Sequence, residues 1–310
     1  MDIRHVFIVG FGAIGKALSV SLSTQGRAVT VIRGSVNDGS RTVENITVQQ
    51  ADGATLAQTL EVTTVNNLDA ISGLIVVTSK SFGNLELANT LKSKSGNSPV
   101  VLLQNGLGVE QPFLKAGFSQ VYRCVLFATS QVLENGIVKF RPVLSSPVGL
   151  VKGSRAGLRR TVEMLDTPYF QFRPEENIQN IIWKKAIINT VFNSVCPLLE
   201  TDNGIFYREP TALEFARKLI QPCISIAGKA GVYLTLQEVE TDLVTISSAS
   251  DGQQISTLQD IRRGKQTEID TLNFEIARLA GEFQMPAEAK DILLLGELIK
   301  IKEKINLKNS

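Results

Sequence analysis

Lys185, Asn189 and Asn193 stand four residues apart, in a run whose apolar residues (Ile178, Ile181, Ile182, Ile188, Phe192, Val195) recur at helical spacing. Each step of four on an α-helix turns the side chain by only about 40°, so the three form one polar stripe. An amine and two carboxamides can hydrogen-bond and protonate a small oxygen-rich ligand; they can also line a wet helix face, and the stripe alone does not choose. The neighbouring Lys184 is off the stripe and reads as surface. A second constellation runs from Ser256 to Asp270 (STLQDIRRGKQTEID). One unbroken helix would hold Ser256 and Glu268 roughly 18 Å apart, too far to share a small ligand. Gly264 suits a helix end, and Thr267 with Asp270 three residues on resembles a capping box. The spacing therefore predicts a helix, a connector and a new helix that fold both residues toward one site.

A third set belongs to nucleotide binding. Gly10-Phe11-Gly12-Ala13-Ile14-Gly15 follows the apolar run VFIV and opens a helical pattern, the context in which G-x-G-x-x-G binds a dinucleotide. The first glycine permits a tight turn, the second lets backbone approach a pyrophosphate, and the third lets helix and strand pack closely. The next apolar run, VTVI, ends at Arg33 rather than at the acid that would hold ribose hydroxyls in an NAD site. A guanidinium suits the additional phosphate of NADP, so NADP(H) is the expected cofactor. Lys80 follows LIVVTS and Asn105 follows VVLLQ, so both lie just past apolar strands, at the edge where doubly wound sheets bind ligands. Alone, each is equally consistent with a solvated loop or a simple turn; their convergence with Arg33 and the glycine loop favours a common site.

These side chains need a scaffold. Strands are expected at Val6–Val9, Val29–Ile32, Leu74–Thr78 and Val100–Leu103, apolar on both faces as in a helix-covered parallel sheet, with a helix over Ala13–Thr24. Two weaker strands flank a turn at Asp52-Gly53, and residues 121–151 read as further strands with a hairpin turn at Asn135-Gly136. Helical patterns dominate later: Asn177–Val195, stopping before Pro197, then Thr211–Ala230, Gln237–Ser247, Ile255–Arg262, Glu268–Phe283 and Ala287–Ile305. The lysine-rich tail, 300–308, reads as a solvated helix end. Arg173-Pro174-Glu175-Glu176 marks a boundary, since proline followed by acids suits the start of a long helix. The expected fold is an α/β Rossmann-type doubly wound domain over 1–174 and an all-α domain over 175–310.

Composition narrows the chemistry. At 310 residues the chain is about two domains long. The net charge of +2 is too even for a nucleic-acid or membrane-surface protein. Cys124, Cys196 and Cys223 show no paired spacing, so neither a disulfide framework nor a thiolate metal site is expected. The single histidine, His5, stands at the start of the chain, which excludes a Ser-His-Asp triad and a multi-histidine metal centre. No segment approaches the ~20 apolar residues of a membrane span, and a cytoplasmic location is expected.

Taken together, these residues resemble the ketopantoate reductase (2-dehydropantoate 2-reductase) family along the whole chain. G-F-G-A-I-G at 10–15, Arg33, Lys80 and Q-N-G at 104–106 are similar to its NADPH half. W-K-K-A-I-I-N-T-V-F-N at 183–193, D-N-G at 202–204 and L-Q-D-I-R-R-G-K-Q-T-E-I-D at 258–270 are similar to its catalytic half. The resemblance implies an active site between the two domains and NADPH-dependent reduction of ketopantoate to (R)-pantoate, in pantothenate and coenzyme A biosynthesis. It implies Lys185 as general acid and Glu268 as its partner. Asn105, Asn189, Asn193, Asn203 and Ser256 would hold substrate, and Arg33, Lys80, Asn105 and the 10–15 loop the cofactor. The implied partner is a small 2-oxo acid, and a homodimer is compatible with it. Reduction of another 2-oxo acid or an imino acid on the same plan, and a non-enzymatic NADP(H) sensor, remain the competing readings.

Overall fold

The computed structural model describes residues 5–34 and 36–307. The chain divides into two compact units: Met1–Gln104 with Val109–Ile178, and Asn105–Gly108 with Gln179–Ser310.

The first unit contains β1 (His5–Val9), α1 (Ala13–Thr24), β2 (Ala28–Ile32), β3 (Arg41–Gln49), β4 (Thr55–Thr63), β5 (Leu74–Val77), α2 (Asn84–Ser95), β6 (Val100–Leu102), α3 (Gln111–Lys115), β7 (Val121–Cys124), β8 (Ala128–Val132), β9 (Val138–Pro142), β10 (Ser146–Lys152), α4 (Arg155–Leu165) and β11 (Phe172–Glu175). Among the described residues the strands form one sheet in the order β11-β10-β7-β6-β5-β1-β2-β4-β3-β9-β8. Pairing is parallel from β4 through β2, β1, β5 and β6 to β7, and antiparallel at β3/β4, β7/β10 and β8/β9. The VFIV run shows why β1 is central. Val6 and Ile8 join a core that includes residues of α1 and α4, while Phe7 and Val9 join a core that includes residues of α2 and α3. Alternating side chains of a strand point to opposite faces, so a strand apolar at every position must be covered on both.

Chain order reverses at β1, which has β2 on one side and β5 on the other. In register, Val9 stands opposite Ile32 and Val77, and Val77 opposite Leu102. The residues that follow, from Gly10, Arg33, Thr78 and Leu103 onward, therefore emerge along one edge. This is the switch point at which such sheets bind ligands.

The second unit contains α5 (Ile178–Leu198, its first residue grouped with the sheet unit), α6 (Ile205–Arg208), α7 (Pro210–Lys229), α8 (Leu236–Ala249), α9 (Ser256–Arg262), α10 (Asn273–Glu282) and α11 (Lys290–Leu307). No described helix is long and apolar enough to cross a membrane.

Four local expectations need correction. Pro174 does not open the long helix: it lies in β11, which among the described residues is an edge strand paired with β10 alone, where a residue without an N–H is tolerated. α5 does not stop before Pro197 but includes it. A proline in the last turn forgoes a single ladder bond, and the terminal carbonyls are satisfied by other donors: Thr201 N–H to Cys196 O (3.0 Å) and Lys302 Nζ to Pro197 O (2.7 Å). Thr267 caps no helix: Ile269–Thr271 is a single 3-10 turn, and α10 begins only at Asn273. The 300–307 segment is not simply solvated, since Glu303 is buried and Lys300 and Lys302 are engaged in ion pairs; Lys308 lies outside the described residues. The helix end at Gly264 forms as its glycine suggests. With φ +58°, Gly264 closes α9 through Lys265 N–H to Asp260 O (2.8 Å) and Gly264 N–H to Ile261 O (3.1 Å), a Schellman pair.

Candidate active site

The 10–15 loop is built so that side chains are excluded. Gly10 has φ +127°, and a Cβ there would lie 2.5 Å from Thr78 Oγ1. A Cβ at Gly15 would lie 2.0 Å from the carbonyl oxygen of Gly10, so α1 abuts the turn that precedes it. Gly12 is different. It is the N-cap of α1, exposed, and a Cβ on it would meet no protein atom within 4 Å. The packing requires the first and third glycines, while the second leaves backbone open on the outer side. The N-terminus of α1 has no side-chain cap and no acid in its first turn, so its N–H groups face outward as an anion site requires. Phe11, Ala13 and Ile14 are half-buried and pack against the core beneath. The loop therefore fits a dinucleotide pyrophosphate.

Arg33 follows β2 and is half-buried. Its guanidinium donates to Ser40 Oγ (3.4 Å) and Thr42 Oγ1 (3.2 Å) and lies 3.7 Å from Glu44 Oε1. Lys80 is half-buried, with extended backbone leading into a 3-10 turn at Ser81–Gly83.

Between β5 and β6 lies a buried polar network that holds the same edge. The Gln104 carboxamide donates to Ser79 O (2.8 Å) and Asn84 Oδ1 (2.7 Å) and accepts from Asn84 Nδ2 (2.9 Å); Asn84 Nδ2 also donates to Val109 O (3.0 Å). Arg123, almost wholly buried, pairs with Glu110 and donates to Gln104 O (3.4 Å). Both flanks of the Asn105–Gly108 excursion, Gln104 and Val109-Glu110, are thus tied down within the first unit.

The excursion itself belongs with the helices. Leu107 N–H donates to Thr271 O (2.8 Å), and Gly106, at φ +94°, passes so close that a Cβ would lie 2.4 Å from Thr271 Oγ1. This explains the glycine after Asn105: the position needs both a left-handed backbone and no side chain. Asn105 is half-buried, only a few residues along the chain from this contact.

The other candidates in the helical unit lie on segments tied by hydrogen bonds between residues distant in sequence. Lys185 and Asn189 on α5 are half-buried, and Asn193 is buried. Next to Asn193, Ser194 Oγ accepts from Asn273 Nδ2 (2.9 Å), linking α5 to α10. Asn203 is buried in a tight loop: its N–H donates to Gln253 O (2.9 Å), three residues before the exposed Ser256, and Ser247 Oγ donates to its carbonyl (2.6 Å). Asp202 Oδ1 accepts from Gly204 N–H (2.7 Å) and Arg208 Nη2 (3.0 Å), which holds that loop. Glu268 is half-buried at the head of the 3-10 turn. Asn193 Oδ1 and Asn203 Oδ1 are each buried without a hydrogen-bond partner among the described residues. Lys184, off the stripe, pairs with Asp242 Oδ2 (2.6 Å). The cysteines offer no rival chemistry at Cys196 and Cys223: burial pushes both thiols up to about 12, far from a thiolate at neutral pH.

Two family models cover most of the chain. Residues 6–147 match the model described as ketopantoate reductase PanE/ApbA, and residues 177–303 match ketopantoate reductase PanE/ApbA C terminal. The chain belongs to the ketopantoate reductase family. Similar members include the 2-dehydropantoate 2-reductase of Pyrococcus horikoshii, 28% identical over 97% of this chain and 98% of that protein. That of Escherichia coli O157:H7 is 23% identical over 89% and 88%. Among solved structures, the dimeric ketopantoate reductase of Staphylococcus aureus superposes with a TM-score of 0.80 at 21% identity, covering 97% and 99% of the two chains. A D-mandelate dehydrogenase bound to NADH and anilino(oxo)acetate gives 0.81 at 20%, with the same coverage. The ketopantoate reductase family comprises NAD(P)-dependent oxidoreductases, and the Rossmann-like sheet followed by a helical unit is its fold.

Within this ketopantoate reductase fold, residues without any motif support the candidate site. Glu303 on α11 is the clearest. Its buried carboxylate accepts from Thr267 N–H (2.8 Å) and Thr267 Oγ1 (2.6 Å), and lies 3.2 Å from Lys300 Nζ. Lys300 in turn reaches Asp270 Oδ2 (2.9 Å), so α11 grips both sides of Glu268. The only sequence signal was an acid among lysines, which suggests a solvated helix. Glu303→Ala leaves two Thr267 donors buried and unmade. It is expected to lower unfolding free energy by about 1–3 kcal/mol in urea denaturation. An unchanged urea midpoint would show that this grip contributes nothing.

Proposed function

We propose that the protein reduces the 2-carbonyl of ketopantoate with NADPH, giving (R)-pantoate. The observation that carries the reading is that two of the asparagines assigned to substrate, Asn193 and Asn203, each keep a buried Oδ1 without a hydrogen-bond partner among the described residues. A buried acceptor without a donor costs about 1–3 kcal/mol, and a ligand hydroxyl that donates its proton to one of these oxygens removes that cost there. A 2-oxo acid carrying its own hydroxyl, as ketopantoate does, is such a ligand; an unsubstituted 2-oxo acid has none to give. Curated relatives named 2-dehydropantoate 2-reductase, matched over nearly the full chain, support the same substrate.

When bound, NADPH would supply the hydride from its nicotinamide. The protein supplies the rest. The 10–15 loop and the N-terminus of α1 receive the pyrophosphate, Arg33 the 2′-phosphate, and Lys80 and Asn105 the adjoining edge. Lys185 polarises the carbonyl oxygen through its ammonium and gives up a proton as negative charge develops there, while Glu268 orients the amine. Asn105, Asn189, Asn193, Asn203 and Ser256 hold the carboxylate and hydroxyl. An amine as proton donor suits a chain whose single histidine, His5, bonds Thr30 and stacks on Phe7.

The test is steady-state NADPH oxidation across a panel of 2-oxo acids with and without a 4-hydroxyl. Ketopantoate is expected to give the highest kcat/KM, by at least ten-fold over its deoxy analogue. A deoxy acid that matches it would remove the asparagine argument.

A further inference from the structure

The strand that ends at Arg33 lacks the acid of an NAD site, but the fold brings one in from elsewhere. β4 lies between β2 and β3, and the Arg33 guanidinium reaches across it to the first residues of β3. There Glu44 Oε1 stands 3.7 Å from Arg33 Nη2 and accepts from Thr42 Oγ1 at 2.9 Å, while Thr42 Oγ1 also accepts from Arg33. Ser40 Oγ is the guanidinium's other hydroxyl partner. Asp38, a second acid nearby, is turned into its own loop. Its carboxylate accepts from Ser40 N–H (2.9 Å), and that bonding to Ser40, more than the charge of Arg33, holds it below the usual carboxylate range. Glu44 is thus the acid in contact with the cation proposed to read the 2′-phosphate, and both are partly solvent-exposed.

From this geometry we infer that Glu44 sets the degree of NADPH preference. The inference rests on the assignment of Arg33 to the 2′-phosphate. A carboxylate within a few ångströms of an incoming phosphate dianion repels it and competes for the same guanidinium; toward a ribose 2′-hydroxyl the same carboxylate is a good acceptor. Arg33 and Glu44 therefore pull in opposite directions, and the wild-type site takes both NADPH and NADH with the first preferred. With solvent screening of so exposed a pair, removing the negative charge is expected to change the ratio of affinities by about three- to ten-fold.

Titration of the full-length protein with NADPH and with NADH, followed by nicotinamide fluorescence, measures that ratio without turnover. Glu44→Gln keeps the shape and an acceptor for Thr42, and is expected to raise the NADPH/NADH affinity ratio by at least three-fold, with NADPH binding tighter. Glu44→Asp, which keeps the charge, is expected to stay within two-fold of wild type. Arg33→Ala is the reference arm. If it collapses the ratio while Glu44→Gln leaves it unmoved, or if Asp and Gln at 44 shift it equally, Glu44 has no electrostatic part in selectivity. If Arg33→Ala itself leaves the ratio unmoved, the phosphate assignment falls, and the role of Glu44 with it.

Discussion

Replacing Lys185 with alanine is expected to lower kcat by about 10²–10⁴-fold, the range that a positioned general acid supplies. The physical reason is the charge that develops on the substrate oxygen as hydride arrives. With the amine gone, water must stabilise and protonate that oxygen, without a fixed position. The affinity for NADPH is expected to stay within about two-fold, because the glycine loop and Arg33 lie in the first unit and Lys185 in the second. Lys185→Arg separates two contributions. A guanidinium retains the positive charge but scarcely gives up a proton, so partial rescue would assign the balance to proton transfer. Single-turnover measurements with saturating NADPH and substrate are the appropriate check. A kcat within two-fold of the parent in Lys185→Ala would remove this residue from the mechanism.

Arg33→Ala is expected to weaken NADPH binding by roughly 10–100-fold, the worth of charged hydrogen bonds to a phosphate at a partly exposed site. NADH, which has no phosphate at that position, is expected to change by less than about three-fold. Two effects add in the NADPH loss: the guanidinium's own contacts disappear, and Glu44 is left without its neutralising partner 3.7 Å away. Raising the salt concentration is therefore expected to narrow the difference between wild type and variant for NADPH and to leave NADH nearly flat. Equal losses for the two cofactors would place Arg33 outside the cofactor site.

The parts of the molecule legible from sequence are those set by neighbours along the chain. VFIV followed by G-x-G-x-x-G specifies strand, turn and helix within twenty residues. Its first and third glycines sit where a Cβ would strike Thr78 and the Gly10 carbonyl. Gly264 ends α9 for a reason contained in its own φ angle. The Lys185–Asn189–Asn193 stripe needs nothing beyond helical periodicity.

What local sequence could not supply are contacts whose partners are far apart in the chain. Glu303 meets Thr267 across 36 residues, and Asn273 meets Ser194 across 79. The carbonyl of Pro197, in the last turn of its helix, is taken up by a lysine 105 residues away. Glu44 reaches Arg33 only because β4 inserts between their strands, and strand order is a property of the whole sheet. Likewise, Asn105–Gly108 groups with the helices although both its flanks are anchored in the sheet unit. Periodicity and backbone preference act over a few residues and leave a readable pattern. Satisfying a buried carboxylate or carbonyl depends on which elements pack together, and that is decided only when the chain has closed on itself.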